Sequence, residues 1–168
     1  MTPDKRQLTV DRGSNTAEIK TLKYSPQLPS RVKVSIVVCT YTLNMYKHFC
    51  EAADSILTQT YDDVELVVII DGTPEVYNRV VEDYGGYDSA VIKCNQDNIG
   101  LLRSRNRGAE IASGDIVGFI DDDAIADQKW VEQLASTYEQ QNTLAAGGKM
   151  TPAWVAGNPS YLPEEFYW

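Results

Sequence analysis

Three consecutive aspartates, Asp121, Asp122 and Asp123, follow directly on the apolar segment 115–120, DIVGFI. On a buried strand at least one of these carboxylates would face the covering layer, where an unpaired charge costs several kcal/mol. The run must therefore leave the strand and face solvent or a cation. Carboxylate oxygens suit Mg²⁺ or Mn²⁺, and Mg²⁺ is commonly held by one or two carboxylates together with substrate phosphates. The run indicates a divalent-metal site; the alternative is an acidic loop in an acidic protein.

Polar residues also follow two other apolar segments. Thr40 and Tyr41 come after VKVSIVVC (32–39), and Asp71 ends VELVVIID (64–71). An aspartate followed by glycine is common turn chemistry, so Asp71 alone says little. At the end of a strand beside the acidic run, however, it is a candidate acceptor for an N–H group of a ligand.

Three arginines, Arg103, Arg105 and Arg107, lie on a predicted helix just before the fourth strand. At 100° per residue, Arg103 and Arg107 share one helix face and Arg105 points nearly the opposite way. The guanidinium fork of Arg105 could reach a diphosphate or a base. Arg103 and Arg107 are interpreted as solvated helix charges.

Other chemical groups give weaker signals. His48 is the only histidine, and Cys39 has no histidine base near it, so both are interpreted as packing or surface residues. The three cysteines form no CxxC pair, which argues against a zinc site or a disulfide framework. The GGK at 147–149 lacks the P-loop pattern, and no GxGxxG follows the first strand.

Composition restricts the class of protein. The chain has 168 residues, enough for one domain, and a net charge of −9 from 15 basic and 24 acidic residues. Such a balance argues against nucleic-acid binding, which needs a basic surface. No apolar stretch reaches the length needed to span a bilayer, and the N-terminus lacks the apolar core of a signal peptide. We expect a soluble cytoplasmic protein.

Hydrophobic patterns predict alternating strands and helices. We expect Asn44 to cap the first helix and Gly114 to close the third. Strands are predicted at 32–39, 64–71, 89–94 and 115–120, with 143–150 as a further candidate. Helices are predicted at 44–59, 75–84, 98–114 and from Asp127 onward. This alternation is typical of a mainly parallel α/β sheet with helices on both faces, and in such sheets ligands bind beyond the carboxyl ends of the strands.

Four segments, in this order, resemble the family-2 glycosyltransferases with the A-type, Rossmann-like fold. They are VSIVVCTYT, SILTQTYDDVELVVIIDG, NIGLLRSRNRG and GDIVGFIDDDA, and together they cover about residues 32–150. The resemblance implies an enzyme that transfers one sugar, with inversion, from a nucleoside diphosphate-sugar. It also implies Mg²⁺ or Mn²⁺ as cofactor, and a UDP-sugar is the expected donor.

The resemblance also implies roles for individual positions on the base side of the donor. The backbone around Cys39, Thr40 and Tyr41 would lie against the donor base. Asp71 would hydrogen-bond the base, and Arg105 would face the base or the diphosphate.

Within the acidic run, Asp122 resembles the residue that holds the ribose, Asp123 the residue that binds the metal, and Asp121 a support for the loop. Two positions depart from the family pattern. Thr42 stands where asparagine is usual, and Ile70 replaces the first of two adjacent aspartates. Both changes remove a polar group near the donor and leave Asp71 in place.

The resemblance divides the chain into a polar arm (1–30), a nucleotide-sugar-binding domain (31–150) and the incomplete start of an acceptor region (151–168). Inverting transfer needs a general base, which we expect beyond Trp168. Neither Glu164 nor Glu165 is assigned. The expected acceptor is a glycan or a lipid-linked sugar, as in protein glycosylation, with peripheral association at the cytosolic face of a membrane. Alternatives are a non-catalytic nucleotide-sugar-binding module, a nucleotidyltransferase and an aspartyl-phosphate phosphotransferase.

Overall fold

The computed structural model describes residues 32–141, 143–154, 157, 161 and 163. They form four parallel strands, β1 (Val34–Thr40), β2 (Val64–Ile70), β3 (Ala90–Cys94) and β4 (Ile116–Ile120). The helices are α1 (Tyr46–Leu57), α2 (Pro74–Tyr84), α3 (Leu101–Ile111) and α4 (Trp130–Gln141), with a 3₁₀ turn at Leu43–Met45. The predicted parallel α/β sheet is confirmed. The predicted arm at 1–30 lies outside the described residues.

The strand order β3-β2-β1-β4 places a reversal next to β1. From β1 the chain moves outward through β2 to β3 and then returns, through α3, to the other side of β1. Because crossover connections are right-handed, the returning helix must lie on the opposite face of the sheet. The reversal therefore opens a crevice at the carboxyl ends of β1 and β4, which is where sheets of this type bind ligands.

The two faces of the sheet are covered by different numbers of helices. On one face Phe49 and Ile56 of α1, Val80 of α2 and Val131 of α4 pack with alternate residues of the strands into the main core. On the other face α3 covers a smaller cluster around Val37, Cys39, Val67 and Ile69. The apolar β1 and β2 are buried on both faces, in keeping with their lack of polar alternation.

The bounds of two helices differ from the sequence predictions. Asn44 does not cap α1: the Thr42 hydroxyl accepts a hydrogen bond from Asn44 N (3.3 Å) at the start of the 3₁₀ turn, which precedes α1. Helix α3 ends at Ile111 and not at Gly114. Gly114 packs against β1, where an added Cβ would lie 2.7 Å from Ser35 N, so glycine is required there by close approach and not by a helix end.

The last predicted elements had mixed outcomes. Asp127 stands before α4 as predicted: its carboxylate accepts a hydrogen bond from Lys129 N (2.9 Å) and its carbonyl one from Trp130 N (2.9 Å). The strand proposed for 143–150 is wrong, because those residues belong to no strand or sheet. Gly148 instead lies on Trp130, where a Cβ would be 2.7 Å from the indole nitrogen. Among the described residues no helix is long and apolar enough to cross a membrane.

A buried carboxylate, Glu65, joins three segments at the amino ends of the strands. It accepts hydrogen bonds from Ser35 Oγ (2.6 Å), Lys33 Nζ (3.1 Å), Ser113 N (2.9 Å) and Ser113 Oγ (2.6 Å). Burial alone would raise the pKa of Glu65, but the hydrogen bonds from Ser113, Ser35 and Lys33 outweigh it and lower the pKa to about 2, against an ordinary 4.5. The ionised carboxylate therefore stabilises the fold.

We expect Glu65→Gln to lower the free energy of unfolding at pH 7 by on the order of 2 kcal/mol. Because the folded pKa lies below the unfolded one, this contribution is complete above about pH 4.5 and is lost as the pH falls towards 2. Urea unfolding from pH 7 to pH 3 should show the two proteins converging. The exposed Glu110→Gln is the matched control and should follow the original protein at every pH. A constant difference between the Glu65 variant and the original protein would contradict this account.

Candidate functional site

The acidic run leaves β4 at the crevice formed by the reversal of strand order. Asp122 is half-buried, while Asp121 and Asp123 are exposed. Burial raises the pKa of Asp122, the hydroxyl dipole of Thr40 opposes this rise, and the charges of Asp123 and Asp121 add to it. The three carboxylates therefore destabilise one another in the ionised state, and a cation at this position would relieve that repulsion.

Thr40 ends β1 next to the acidic run and is 2% exposed. Its hydroxyl acts on the pKa of Asp122, yet it meets no group with hydrogen-bond geometry among the described residues. A buried hydroxyl without a partner costs about 1–3 kcal/mol. Such a group is expected where a ligand completes the hydrogen bond, and Thr40 is therefore a candidate ligand contact.

Arg105 brings positive charge to the same place from α3. Its guanidinium donates a short hydrogen bond to Asp121 Oδ1 and forms an ion pair with it. The ion pair ties α3 to the loop after β4 and neutralises one acid of the run. The contact places Arg105 at the acidic run; its expected role at the base or the diphosphate, and that of Asp121 as a support for the loop, stay predictions.

The charges that act on Cys39 show that the ends of β1, β2 and β4 and the helix α3 lie close together. Burial raises the pKa of its thiol to about 11; the charge of Arg105 lowers it, and the charges of Asp71, Asp122 and Asp121 raise it. Groups that follow β2 and β4, and one group on α3, thus lie close enough to act on one side chain of β1. Cys39 also packs with Val37, Val67 and Ile69 in the smaller apolar cluster.

Tyr41 and Asp71 complete the predicted set, in different ways. The Tyr41 ring is largely exposed, and its carbonyl accepts a hydrogen bond from Thr73 Oγ1 (2.7 Å). Asp71 is 6% exposed, and its backbone N donates to Thr40 O (2.9 Å). Its carboxylate accepts from Asn95 Nδ2 (2.7 Å), Ile99 N (2.9 Å) and Gly100 N (2.8 Å).

The predicted role of Arg107 as a solvated helix charge is wrong. Its guanidinium donates to Asn95 Oδ1 and, at 3.3 Å, to Cys94 O. Asp71, Asn95, Ser104 and Arg107 form one hydrogen-bonded cluster, in which Asn95 donates to Asp71 and Ser104 and accepts from Arg107. Two of its buried members, Asn95 and Ser104, were missed by the sequence analysis. Asn95 directly follows β3, as Asp71 follows β2, so the strand-end rule applied to the third strand would have selected it. Ser104 carries no comparable signal.

The residues at the crevice suit a hard divalent cation that binds the protein through one or two carboxylates and keeps water or substrate as its other ligands. The described residues hold no group of three or more His, Cys, Asp or Glu placed to bind a metal. A complete protein cage is not needed for Mg²⁺, which is usually bound through one or two carboxylates and substrate phosphates. The exposed carboxylate of Asp123, next to the charge of Asp122, suits that requirement.

Solved structures with the same sheet identify the fold as the A-type glycosyltransferase fold. S. aureus TarS (residues 1–349) is similar with a TM-score of 0.59 and 22% identity, over 71% of this chain and 39% of that one. It has also been solved with UDP-GlcNAc. The mannosyltransferase PcManGT of Pyrobaculum calidifontis, solved with GDP-Man and Mn²⁺, has a TM-score of 0.55 and 24% identity over 66% and 33% of the two chains. At these identities the likeness concerns the fold.

Sequence comparison gives the family. Residues 35–162 match the family model for Glycosyl transferase family 2, and the chain belongs to that family of enzymes. It is 48% identical over 138 residues to the glucosyl-dolichyl phosphate glucuronosyltransferase of Haloferax volcanii, which is 82% of this chain and 44% of the relative. It is 34% identical over 116 residues to the glycosyltransferase GlyA of Streptococcus pneumoniae, or 68% and 16% of the two chains. The chain thus spans less than half the length of these relatives.

We expect Thr40→Val to change the free energy of unfolding by no more than about 1 kcal/mol, because the buried hydroxyl that it removes meets no hydrogen-bond partner among the described residues and acts on Asp122 through its dipole. Thr40→Ser, which keeps the hydroxyl, is the matched control. Urea unfolding of the ligand-free proteins measures the effect. A loss of more than about 1 kcal/mol in the valine variant alone would show that the hydroxyl is bonded within the fold, and would remove Thr40 as a ligand contact.

Proposed function

We propose that this chain is the donor-binding part of an inverting, divalent-metal-dependent glycosyltransferase that uses a nucleoside diphosphate-sugar, with a UDP-sugar as donor. One observation carries the proposal: the acidic run, the Arg105 guanidinium and the unpartnered Thr40 hydroxyl meet at the crevice where the strand order reverses. A sugar nucleotide offers three groups to such a site. Its diphosphate suits a cation beside an arginine, its ribose suits a hydroxyl–carboxylate pair, and its base suits the strand ends. Family membership favours this function over a nucleotidyltransferase.

Each side chain has a role that follows from its surroundings. Asp123 is exposed at the end of the run and is proposed to hold Mg²⁺ or Mn²⁺ together with the donor phosphates. Asp122 and Thr40 lie deeper and are proposed to bind the ribose. Arg105 holds Asp121, and so keeps the loop in place and limits the negative charge that the diphosphate meets. The metal, when bound, would stabilise charge on the leaving diphosphate.

The Haloferax relative suggests a more specific substrate pair. Its name describes transfer of glucuronate to a glucosyl-dolichyl phosphate. We propose the same class for this protein: a nucleoside diphosphate-glucuronate as donor and a sugar linked to a polyprenyl phosphate as acceptor, in a pathway of glycan assembly such as protein glycosylation. A lipid-linked acceptor places the reaction at a membrane surface, and we propose peripheral association at its cytosolic face.

The general base of inverting transfer is not assigned to any residue of this chain. We propose that it is supplied by sequence beyond Trp168, in the part of the relatives that the chain does not span. A second candidate function is a non-catalytic nucleotide-sugar-binding module, since the residues that we assign in the crevice bind a donor and do not activate an acceptor.

We expect the protein to be stabilised by UDP only when Mn²⁺ or Mg²⁺ is present, and Asp123→Ala to abolish this stabilisation. The carboxylate of Asp123 is the group proposed to join the metal to the protein. Thermal unfolding with UDP, with the metal, with both and with neither measures the effect. Asp88→Ala, which removes an exposed carboxylate before the amino end of β3, is the matched control and should retain the response. If UDP stabilised the Asp123 variant as strongly as the original protein, the metal site would lie elsewhere.

We further expect UDP-glucuronate to bind with Mn²⁺ at least about tenfold more tightly than GDP-mannose, a difference of about 1.4 kcal/mol in calorimetric titration. A chain extended to the length of the relatives should then transfer glucuronate to glucosyl-dolichyl phosphate, with inversion visible by NMR of the product. Failure of any nucleoside diphosphate to bind would exclude both candidate functions. Binding without transfer by the extended chain would select the non-catalytic module.

A further inference from the structure

The carboxylate of Asp71 is already occupied by the protein itself. Its Oδ1 accepts from Asn95 Nδ2 (2.7 Å) and Ile99 N (2.9 Å), and its Oδ2 accepts from Gly100 N (2.8 Å). A carboxylate has about four acceptor positions, so three of them are filled. These hydrogen bonds outweigh the effect of burial and lower the pKa of Asp71. One acceptor position remains, on a carboxylate whose orientation is set by these partners.

Asn95 is the residue that completes this arrangement. It is 3% exposed, and both ends of its side-chain amide are used. The amide nitrogen donates to Asp71 and to Ser104 Oγ (2.8 Å), and the amide oxygen accepts from Arg107. Its backbone N donates to Ile70 O (2.8 Å), the last residue of β2. Asn95 therefore ties the ends of β2 and β3 to the first turns of α3.

The segment held by these contacts is the exposed loop at residues 96–99 between β3 and α3. Asn95 fixes its start, and the Asp71 carboxylate fixes its end through Ile99 N and Gly100 N. The turn after β2 packs directly under the loop: a Cβ on Gly72, whose φ is +77°, would lie 2.2 Å from Asn98 N. The loop is thus held at both ends and along its length while its side chains stay exposed.

The position of the loop relates it to the donor site. It lies at the carboxyl ends of the strands, against Asp71, and the charge of Asp71 acts on Cys39 at the end of β1. The exposed polar residues Gln96, Asp97 and Asn98 carry donors and acceptors of the kind that distinguish a pyrimidine from a purine base.

We propose that Asn95 is a positioning residue for recognition of the donor base, and that it acts through Asp71 by holding loop 96–99 as one wall of the base pocket. This inference rests on the proposed function and makes it more specific. Base discrimination then depends on the placement of the loop. The direct hydrogen bond to the base that the family resemblance implies for Asp71 would use the remaining acceptor position of a carboxylate that Asn95 helps to hold in place.

Changes to the buried partners test this role without removing a group that touches the ligand. Asn95 and Ser104 are almost fully buried and act only through the groups that they hold. Removal of either partner should therefore release the loop and the Asp71 carboxylate and reduce discrimination between bases.

The test is calorimetric titration of UDP, GDP and inorganic diphosphate, all with Mn²⁺, into the original protein, Asn95→Ala and Ser104→Ala. We expect Asn95→Ala to weaken the preferred nucleoside diphosphate by about tenfold and to bring the UDP-to-GDP affinity ratio towards one. Inorganic diphosphate, which needs only the acidic run and the metal, should bind unchanged. Ser104→Ala removes one bond of the cluster and should shift the ratio in the same direction by less; it carries the test if Asn95→Ala fails to fold.

Glu65→Gln is the matched control, because it loosens the opposite end of the sheet and should leave the affinity ratio intact. An unchanged ratio in both cluster variants would overturn the role of Asn95 while the proposed function stands. An equal loss of nucleotide and inorganic diphosphate binding would also overturn it, because the defect would then not concern the base. If the original protein bound no nucleoside diphosphate, the proposed function would fail and this inference with it.

Discussion

A carboxylate removed from water must have its charge compensated, and this requirement separates the two kinds of acid in the structure. Glu65 at the amino ends of the strands and Asp71 at the carboxyl ends are each surrounded by N–H and O–H donors from the chain. Of the acids after β4, Asp121 pairs with Arg105, whereas Asp122 lies between the charges of its two neighbours, whose effect the hydroxyl of Thr40 opposes. The first kind holds segments together, whereas the second leaves negative charge available for a cation and its ligand.

The order of the strands determines where the second kind collects. Because β4 returns beside β1, the residue that ends β1 and the acids that follow β4 face the same crevice. The helices described around this point lie on opposite faces of the sheet, and the crevice lies between them. Thr40 ends β1 and Asp122 follows β4, so the reversal brings together a hydroxyl and a carboxylate that are 82 positions apart.

The sequence predicted the sheet, and the edge at which its polar residues collect, because both depend on local pattern. Apolar segments such as 64–70 define strands, and polar residues follow them at the carboxyl edge of the sheet, as Thr40, Asp71 and the acidic run do. The hydrogen bonds around Asn95 could not be predicted from local pattern. They join residues from β2, β3 and α3, and the side on which Arg107 finds its partners depends on how α3 docks, which no spacing along one helix specifies.

In the proposed function, the docking of α3 also links the fold to selectivity for the donor base. The helix lies so close to β1 that a Cβ on Gly108 would be 2.4 Å from Val37 Cγ1, and this closeness brings Ser104 and Arg107 within reach of Asn95. The same helix carries Arg105 to Asp121. One packed helix thus fixes the loop on one side of the crevice and the acids on the other. In the proposed function the diphosphate and the base are bound by separate groups, so base preference could change within loop 96–99 without disturbing the acidic run.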